Sequence, residues 1–366
     1  MRRVPITEFL AQRENALLLD VRSPAEYLHA HIPGAVSLPL FSNEERAVVG
    51  TAYKQKSRQE AIKIGLDYFG PKMRGIVEEV EALFVGRWPL AERNANNEQR
   101  PTTNVFIYCW RGGMRSGAVG WLLNLYGFDV TVLAGGYKAF RNYVLASFEQ
   151  PYDFKVLGGY TGSGKTELLQ SLKTQGQNII DLEALASHKG SAFGSINMPS
   201  QPSQEMFDNL LSCELRAISR KQGSDEATTN GKLQTANPIW LEDESQRIGT
   251  VNIPNALWET IRSAPVYFLD IPFEERLVHI IKEYSQCNKE QLLEAIDRIK
   301  KRLGGLNAKN ATQLLEEGRI EESFAVLLRY YDKQYTKGLH GRENLSALLT
   351  TVKCETVSPQ NATALL

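Results

Sequence analysis

Short unbroken apolar runs alternate with amphipathic stretches along most of the chain. "ALLLDV" (16–21), "NVFIYC" (104–109) and "DVTVLAGG" (129–136) have the length and composition of strands buried on both faces of a parallel sheet. Between them, "SPAEYLHA" (23–30) opens with serine then proline, which marks a helix start, and "HIPGAVSLPL" (31–40) reads as a turn leading into a strand. "RSGAVGWLLNLYG" (115–127) reads as a helix stopped by Gly127. The alternation then starts again. "FKVLGG" (154–159), "NIIDLE" (178–183), "PIWLED" (238–243) and "APVYFLDIP" (264–272) read as buried strands, and "GKTELLQSLKTQG" (164–176) as a helix with a glycine stop. From about residue 273 the chain becomes helical and charged.

Strands alternating with helices imply α/β architecture with parallel sheets. The pattern runs twice, with a break near 143–153 around "SFEQPYD", and 366 residues is long enough for two domains. The expected division is a parallel-sheet α/β domain over 1–145 and a second α/β domain over 152–366 with a helical C-terminal part. Between the strands near 39 and 104 lies a segment with its own helical pattern. Its stretch 46–74 holds seven basic residues against two acidic ones, and 91–104 is polar and reads as an exposed loop.

The apolar fraction is 42%, the charged fraction 23% and the net charge zero, as in an ordinary globular protein. A nucleic-acid footprint would therefore have to be local. The four cysteines, Cys109, Cys213, Cys287 and Cys354, are far apart and form no CxxC or Cys/His cluster. That excludes a structural zinc site or a disulfide scaffold by spacing, and the histidines show no metal-ligand spacing either. No stretch has eighteen consecutive apolar residues, and the charged N-terminus lacks a signal-peptide core, so the expected compartment is the cytoplasm.

Two loops carry chemistry. In "CWRGGMRS" (109–116), Cys109 ends a strand and precedes a helix. Backbone N–H groups and the helix N-terminus there favour an anion, Gly112 and Gly113 permit a tight path, and Arg111 and Arg115 add fixed charge. These terms favour a reactive thiolate at Cys109. In "GYTGSGKT" (159–166), the pattern G-x-x-x-x-G-K-[ST] follows a strand and opens a helix, which is the context of a P-loop. Gly159, Gly162, Ser163 and Gly164 would wrap a diphosphate, Lys165 would neutralise it, and Thr166 is placed to ligate an accompanying Mg²⁺. ATP is the default ligand, but any diphosphate satisfies the same physics. Glu242, Asp243 and Glu244, or Asp181 and Glu183, stand at strand ends where a metal-assisting acid would sit, and sequence offers no basis for choosing. Basic residues in 46–74 and in "RIKKR" (298–302), with Tyr53, Tyr68, Phe69, Tyr330, Tyr331 and Tyr335 nearby, suit either RNA contact or a solvated helix face and core.

Residues 16–39 and 104–140 resemble a rhodanese domain. "LLDVRSPAEYLHAHIPGAVSLP" is similar to that family's first signature, with Asp20, Arg22, Glu26, His31, Pro33 and Gly34 in place, and "LAGGYKAF" resembles its closing signature. The resemblance implies that Cys109 carries sulfur or selenium. Asp20 and Arg22 read as a structural brace. Five residues separate Cys109 from Arg115, one more than is usual in sulfur-transferring rhodaneses. A longer loop accommodates a larger, phosphate-bearing donor.

A long-loop rhodanese domain followed by a P-loop domain resembles the tRNA 2-selenouridine synthase family over nearly the whole chain. That resemblance implies a tRNA partner with 2-thiouridine at the wobble position. Selenium from selenophosphate replaces the sulfur by way of an S-geranyl intermediate made from geranyl diphosphate. It implies no tightly bound cofactor and no membrane partner, and a basic path by which the base reaches Cys109. Two other readings compete: a rhodanese-fold phosphatase or sulfurtransferase fused to a small-molecule kinase, and a non-catalytic, nucleotide-dependent RNA-binding module.

Overall fold

The structure is a computed structural model, and it describes residues 1–13, 16–87, 104–221, 228–229, 232–233 and 237–366. The polar stretch 91–103 lies outside the described residues. Two compact units, Met1–Ala146 and Ser147–Leu366, divide the chain.

In the first unit, β1 (Arg2–Val4), β2 (Leu17–Asp20), β3 (Val36–Ser37), β4 (Asn104–Tyr108) and β5 (Asp129–Leu133) form one sheet in the order β1-β5-β4-β2-β3. Every pairing is parallel. The apolar runs of β2 and β4 are buried, because helices cover both faces of such a sheet. These helices are α1 (Ile6–Gln12), α2 (Pro24–His29), α3 (Asn43–Gln55), α4 (Arg58–Phe69), α5 (Met73–Arg87), α6 (Met114–Tyr126) and α7 (Gly136–Ser147). The expected starts and stops hold. Ser23 and Glu26 form a capping box at α2, with Pro24 in its first turn, and Gly127 closes α6 at φ +117°. The core gathers Leu17, Leu19, Val105, Ile107, Val130 and Val132, with Phe69 and Val80 from the inserted helices.

The second unit repeats the plan with β6 (Phe154–Gly159), β7 (Asn178–Ile180), β8 (Thr228–Thr229), β9 (Lys232–Leu233), β10 (Ile239–Glu242), β11 (Arg247–Ile248), β12 (Val251–Asn252), β13 (Val266–Asp270) and β14 (Leu349–Lys353). Its main sheet runs β14-β13-β6-β10-β7, all parallel, while β8-β9 and β11-β12 are small antiparallel pairs. Its helices are α8 (Lys165–Thr174), α9 (Leu182–Ala186), α10 (Gln204–Lys221), α11 (Asn255–Arg262), α12 (Phe273–Tyr284), α13 (Lys289–Leu303), α14 (Gly305–Glu316), α15 (Ile320–His340) and α16 (Leu345–Leu348). Helices α12 to α15 bury a core of their own around Leu292, Ile296, Leu315, Phe324 and Leu327. No described helix is long and apolar enough to cross a membrane.

In both units the candidate loop leaves the carboxyl end of an interior strand, β4 or β6, where the neighbouring connections diverge to opposite sides. Open parallel sheets place their ligands there.

Candidate functional site

Cys109 lies at the end of β4 and is buried. The turn after it is built against the start of α7. The Tyr137 amide donates to the Cys109 carbonyl at 2.8 Å, and the Lys138 amide to the Trp110 carbonyl at 3.0 Å. Gly112 and Gly136 touch backbone to backbone. A Cβ on Gly136, at φ +59°, would lie 2.3 Å from both Cys109 O and Gly112 N. A Cβ on Gly112, at φ +62°, would lie 2.3 Å from Leu133 O. The cysteine loop and the closing rhodanese-like signature are therefore one packed object. Neither glycine can carry a side chain without moving the cysteine loop.

Cys109 Sγ is 3.2 Å from Ser116 Oγ, both buried. Gly113 caps α6, so the amides of its first turn open toward the loop. Arg111 is exposed. Arg115 turns toward α2, where its Nη1 and Nη2 donate to Glu26 at 2.7 and 3.3 Å. Burial pushes the Glu26 carboxyl up. The Arg115 hydrogen bonds and charge outweigh that, helped by the Ser23 amide and Arg46, and hold it at about 2. The structure thus gives Arg115 a carboxylate partner that spacing within the loop did not reveal. Asp20 and Arg22 are both buried and bonded to each other, with Nη2 2.6 Å from Oδ2. Arg22 also donates to the Ala30 carbonyl and lies 3.9 Å from the Tyr137 ring centre. That geometry is a brace beneath the loop.

The second loop bends between β6 and α8 with Gly162 at φ +82° and Gly164 at φ +67°. A Cβ on Gly162 would meet Arg276 O at 2.8 Å, so close approach as well as φ demands glycine there. Lys165 Nζ donates to the Gly159 carbonyl at 3.1 Å. Ser163 Oγ is buried and has no hydrogen-bond partner, as a donor awaiting an anion would be.

Helix α15 clamps this loop. The Gly159 amide donates to the Tyr335 hydroxyl at 3.1 Å, and that hydroxyl donates to Asp243 at 2.7 Å. Arg342 pairs with the other Asp243 oxygen. Arg276 donates to the Thr161 carbonyl and pairs with Asp332 at 2.9 Å.

The acids left open by sequence now separate. Asp243 is committed to Tyr335 and Arg342. Glu242 is buried and accepts from the Leu182 amide at 3.1 Å; burial, then the charges of Asp181 and Glu183, push it well up. Glu183 is the acid beside the P-loop, with the Thr166 hydroxyl donating to it at 3.2 Å. Burial raises Glu183, and burial with the Glu183 charge raises Glu244 beside it.

The P-loop forms one wall of a cavity of about 1000 Å³. Its other walls include Met198, Trp258, Ile299, Tyr330, Tyr331 and Leu339. The anion cradle and these aromatic and aliphatic side chains share one partly open cavity, whose lining also includes charged groups such as Lys189, Glu244, Arg262 and Arg302. The aromatics of "RYYDKQY" face this cavity rather than an open surface. Among the basic residues of 46–74, Arg46, Lys63, Lys72 and Arg74 pair with Glu26, Glu60, Glu45 and Glu78. Lys54, Lys56 and Arg58 are exposed beside Tyr53. Cys354 is buried, Cys213 and Cys287 are half-buried, and all four cysteines are free thiols. Among the described residues, no group of three or more His, Cys, Asp or Glu side chains is arranged to hold a metal ion.

A rhodanese-type cysteine loop and a P-loop cleft, carried by successive parallel-sheet domains of one chain, define a two-domain enzyme class. Residues 6–70 match the rhodanese-like domain, and residues 152–351 match the family described as the tRNA 2-selenouridine synthase AAA domain. Curated proteins named tRNA 2-selenouridine synthase are similar over most of the chain. The one from Marinobacter nauticus is 33% identical over 87% of both chains, and that from Pseudomonas fluorescens 32% over 87% of both. That from Sulfurovum sp. is 34% identical over 88% of both. The chain belongs to the tRNA 2-selenouridine synthase family.

Proposed function

We propose that this chain modifies tRNA by replacing the sulfur of a wobble 2-thiouridine with selenium, in two steps served by the two loops. The observation that carries the reading is the single cavity joining the P-loop to an aromatic and aliphatic wall. Geranyl diphosphate needs both parts: the P-loop for its diphosphate, and Trp258, Tyr330, Tyr331 and Leu339 for its hydrocarbon.

In the first step the thiocarbonyl sulfur bonds to C1 of the geranyl group. The C–O bond to diphosphate breaks, and the P-loop holds the departing anion. The base loses its N3 proton, leaving a neutral S-geranyl nucleoside. In the second step the selenium of selenophosphate, bound at the Cys109 loop, bonds to C2 and the geranyl thiolate leaves; water then cleaves the Se–P bond, releasing phosphate and leaving the 2-selenouridine. A thiocarbonyl sulfur is a poor leaving group and an alkyl thiolate a good one, which gives the order. A Mg²⁺ ion accompanying the diphosphate would be held by Thr166 and Glu183. This hydroxyl and carboxylate suit a cation that takes its other ligands from phosphate and water.

Nucleoside mass spectrometry tests this reading. Wild-type protein with 2-thiouridine tRNA, geranyl diphosphate and selenophosphate should yield geranylated and then selenium-bearing uridine. Cys109→Ala should stop at the geranylated base, and Lys165→Ala should lose geranylation. Unchanged affinity of Lys165→Ala for geranyl diphosphate would remove the P-loop assignment.

A further inference from the structure

The side chain next to Cys109 adds no charge to the anion loop, yet it is held firmly. Trp110 is 39% exposed although it follows a buried strand. Its carbonyl is pinned by the Lys138 amide at 3.0 Å. Its ring lies 5.7 Å from that of Tyr137, and the Arg22 guanidinium is 6.0 Å from the ring centre. Arg22 is itself locked by Asp20. The indole is therefore braced on its protein side and open on the other. Arg111, the next residue, is exposed, and Met114 on the same rim is 49% exposed.

We infer that Trp110 is the stacking platform for the nucleobase undergoing modification, with the exposed Arg111 supplying charge for the phosphate of the same nucleotide. The inference rests on the reading above, in which a wobble base must come to Cys109. An unpaired base presents two flat faces, and proteins bind such bases by stacking them on exposed aromatic rings. A ring already ordered by Tyr137 and Arg22 loses little freedom when a base stacks on it. Trp110 adjoins Cys109 in the chain, so a base resting on the indole lies at the mouth of the loop holding the sulfur. The bare anion loop recognises only the selenium donor, and Trp110 gives the same rim a surface for the acceptor. Trp110 is thus a substrate-positioning residue of the selenation step.

The test separates that step from the first. tRNA already S-geranylated is given with selenophosphate to wild type, Trp110→Ala and Trp110→Phe. Selenouridine formation is followed against tRNA concentration, while thermal melting and iodoacetamide labelling of Cys109 monitor the loop. Loss of one base–aromatic stack should raise KM for tRNA about tenfold or more in Trp110→Ala. Trp110→Phe should recover most of it, with melting and Cys109 labelling unchanged in both variants. An unchanged KM in Trp110→Ala overturns the inference. So does a KM rise that Trp110→Phe fails to restore and that comes with altered Cys109 labelling, since the ring would then merely support the loop. Wild-type protein forming no selenouridine from this tRNA would instead overturn the proposed reaction, and the inference with it.

Discussion

The Tyr335 hydroxyl in helix α15 accepts a hydrogen bond from the amide of Gly159, the first P-loop residue, at 3.1 Å. The same oxygen donates to Asp243, so one phenol joins the head of the loop to the end of β10. A Cβ on Gly158 would meet that oxygen at 2.9 Å, which shows how closely the ring is seated. Replacing Tyr335 with Phe leaves the shape and removes both bonds, stranding a part-buried amide and carboxylate. The expected cost is about 1–3 kcal/mol of stability, with weaker binding of inorganic diphosphate. Urea unfolding and calorimetric titration check the two effects.

Gly136 packs its α-carbon against the Cys109 carbonyl and the Gly112 amide. Gly136→Ala adds a methyl group where 2.3 Å is available, at a φ that only glycine adopts without strain. Its neighbours are backbone and cannot swing aside. A loss of roughly 3 kcal/mol or more is expected, with selenation falling before geranylation because the damage lies in the first unit. Thermal melting and the nucleoside assay read these separately.

Glu26 titrates at about 2, against an ordinary value of 4.5. A depressed carboxylate contributes stability that is fully present above its ordinary value and is lost as pH falls toward the folded one. The stability difference between wild type and Glu26→Gln should therefore be largest near neutrality and shrink as pH falls from about 4.5 toward 2. Glutamine still accepts the Ser23 amide, so the cap at α2 survives. Urea unfolding across that acid range gives the comparison, and a constant difference would contradict the Arg115–Glu26 pairing.

Glu242 behaves in the opposite sense. Its carboxyl is held well above the ordinary value, so the folded chain keeps a proton that the unfolded chain releases. Stability should fall as pH rises above the ordinary carboxylate range, and Glu242→Gln should reduce that slope to the part contributed by Glu183 and Glu244. Glutamine keeps an acceptor for the Leu182 amide. Glu242→Ala, which strands that amide and leaves a cavity, should instead cost about 2–4 kcal/mol. Melting curves from the ordinary carboxylate value upward distinguish the two variants.

The interior strands were legible because strands buried on both faces carry unbroken apolar runs, as "LLL", "VFIY" and "IWL" are. The edge strands β1 and β14 were not. "RRV" and "LTTVK" face solvent on one side and carry charge and threonine accordingly, so they lack the apolar run. Both anion loops were legible because glycines that must adopt positive φ, next to lysine or arginine, leave a local mark. Arg115 was visible and its partner was not, since 89 residues separate it from Glu26. In sequence the basic character of 46–74 suited either RNA contact or a solvated helix face. Four of its seven cations prove to face carboxylates, three of which, Glu26, Glu45 and Glu78, lie outside the segment.

By itself the sequence determined the local units: which runs form strands, where helices begin and stop, and which two turns are shaped for an anion. Those depend on neighbours within a few residues, through backbone dihedrals and hydrophobic periodicity. Only the tertiary structure decided which acid stands beside Thr166, which carboxylate holds Arg115, and that α15 closes the P-loop. It also decided that the tyrosines of that helix line the cavity next to the phosphate cradle. Those relationships join residues 17 to 176 positions apart. Their energies come from burial and pairing, which exist only once the sheets and helices have packed.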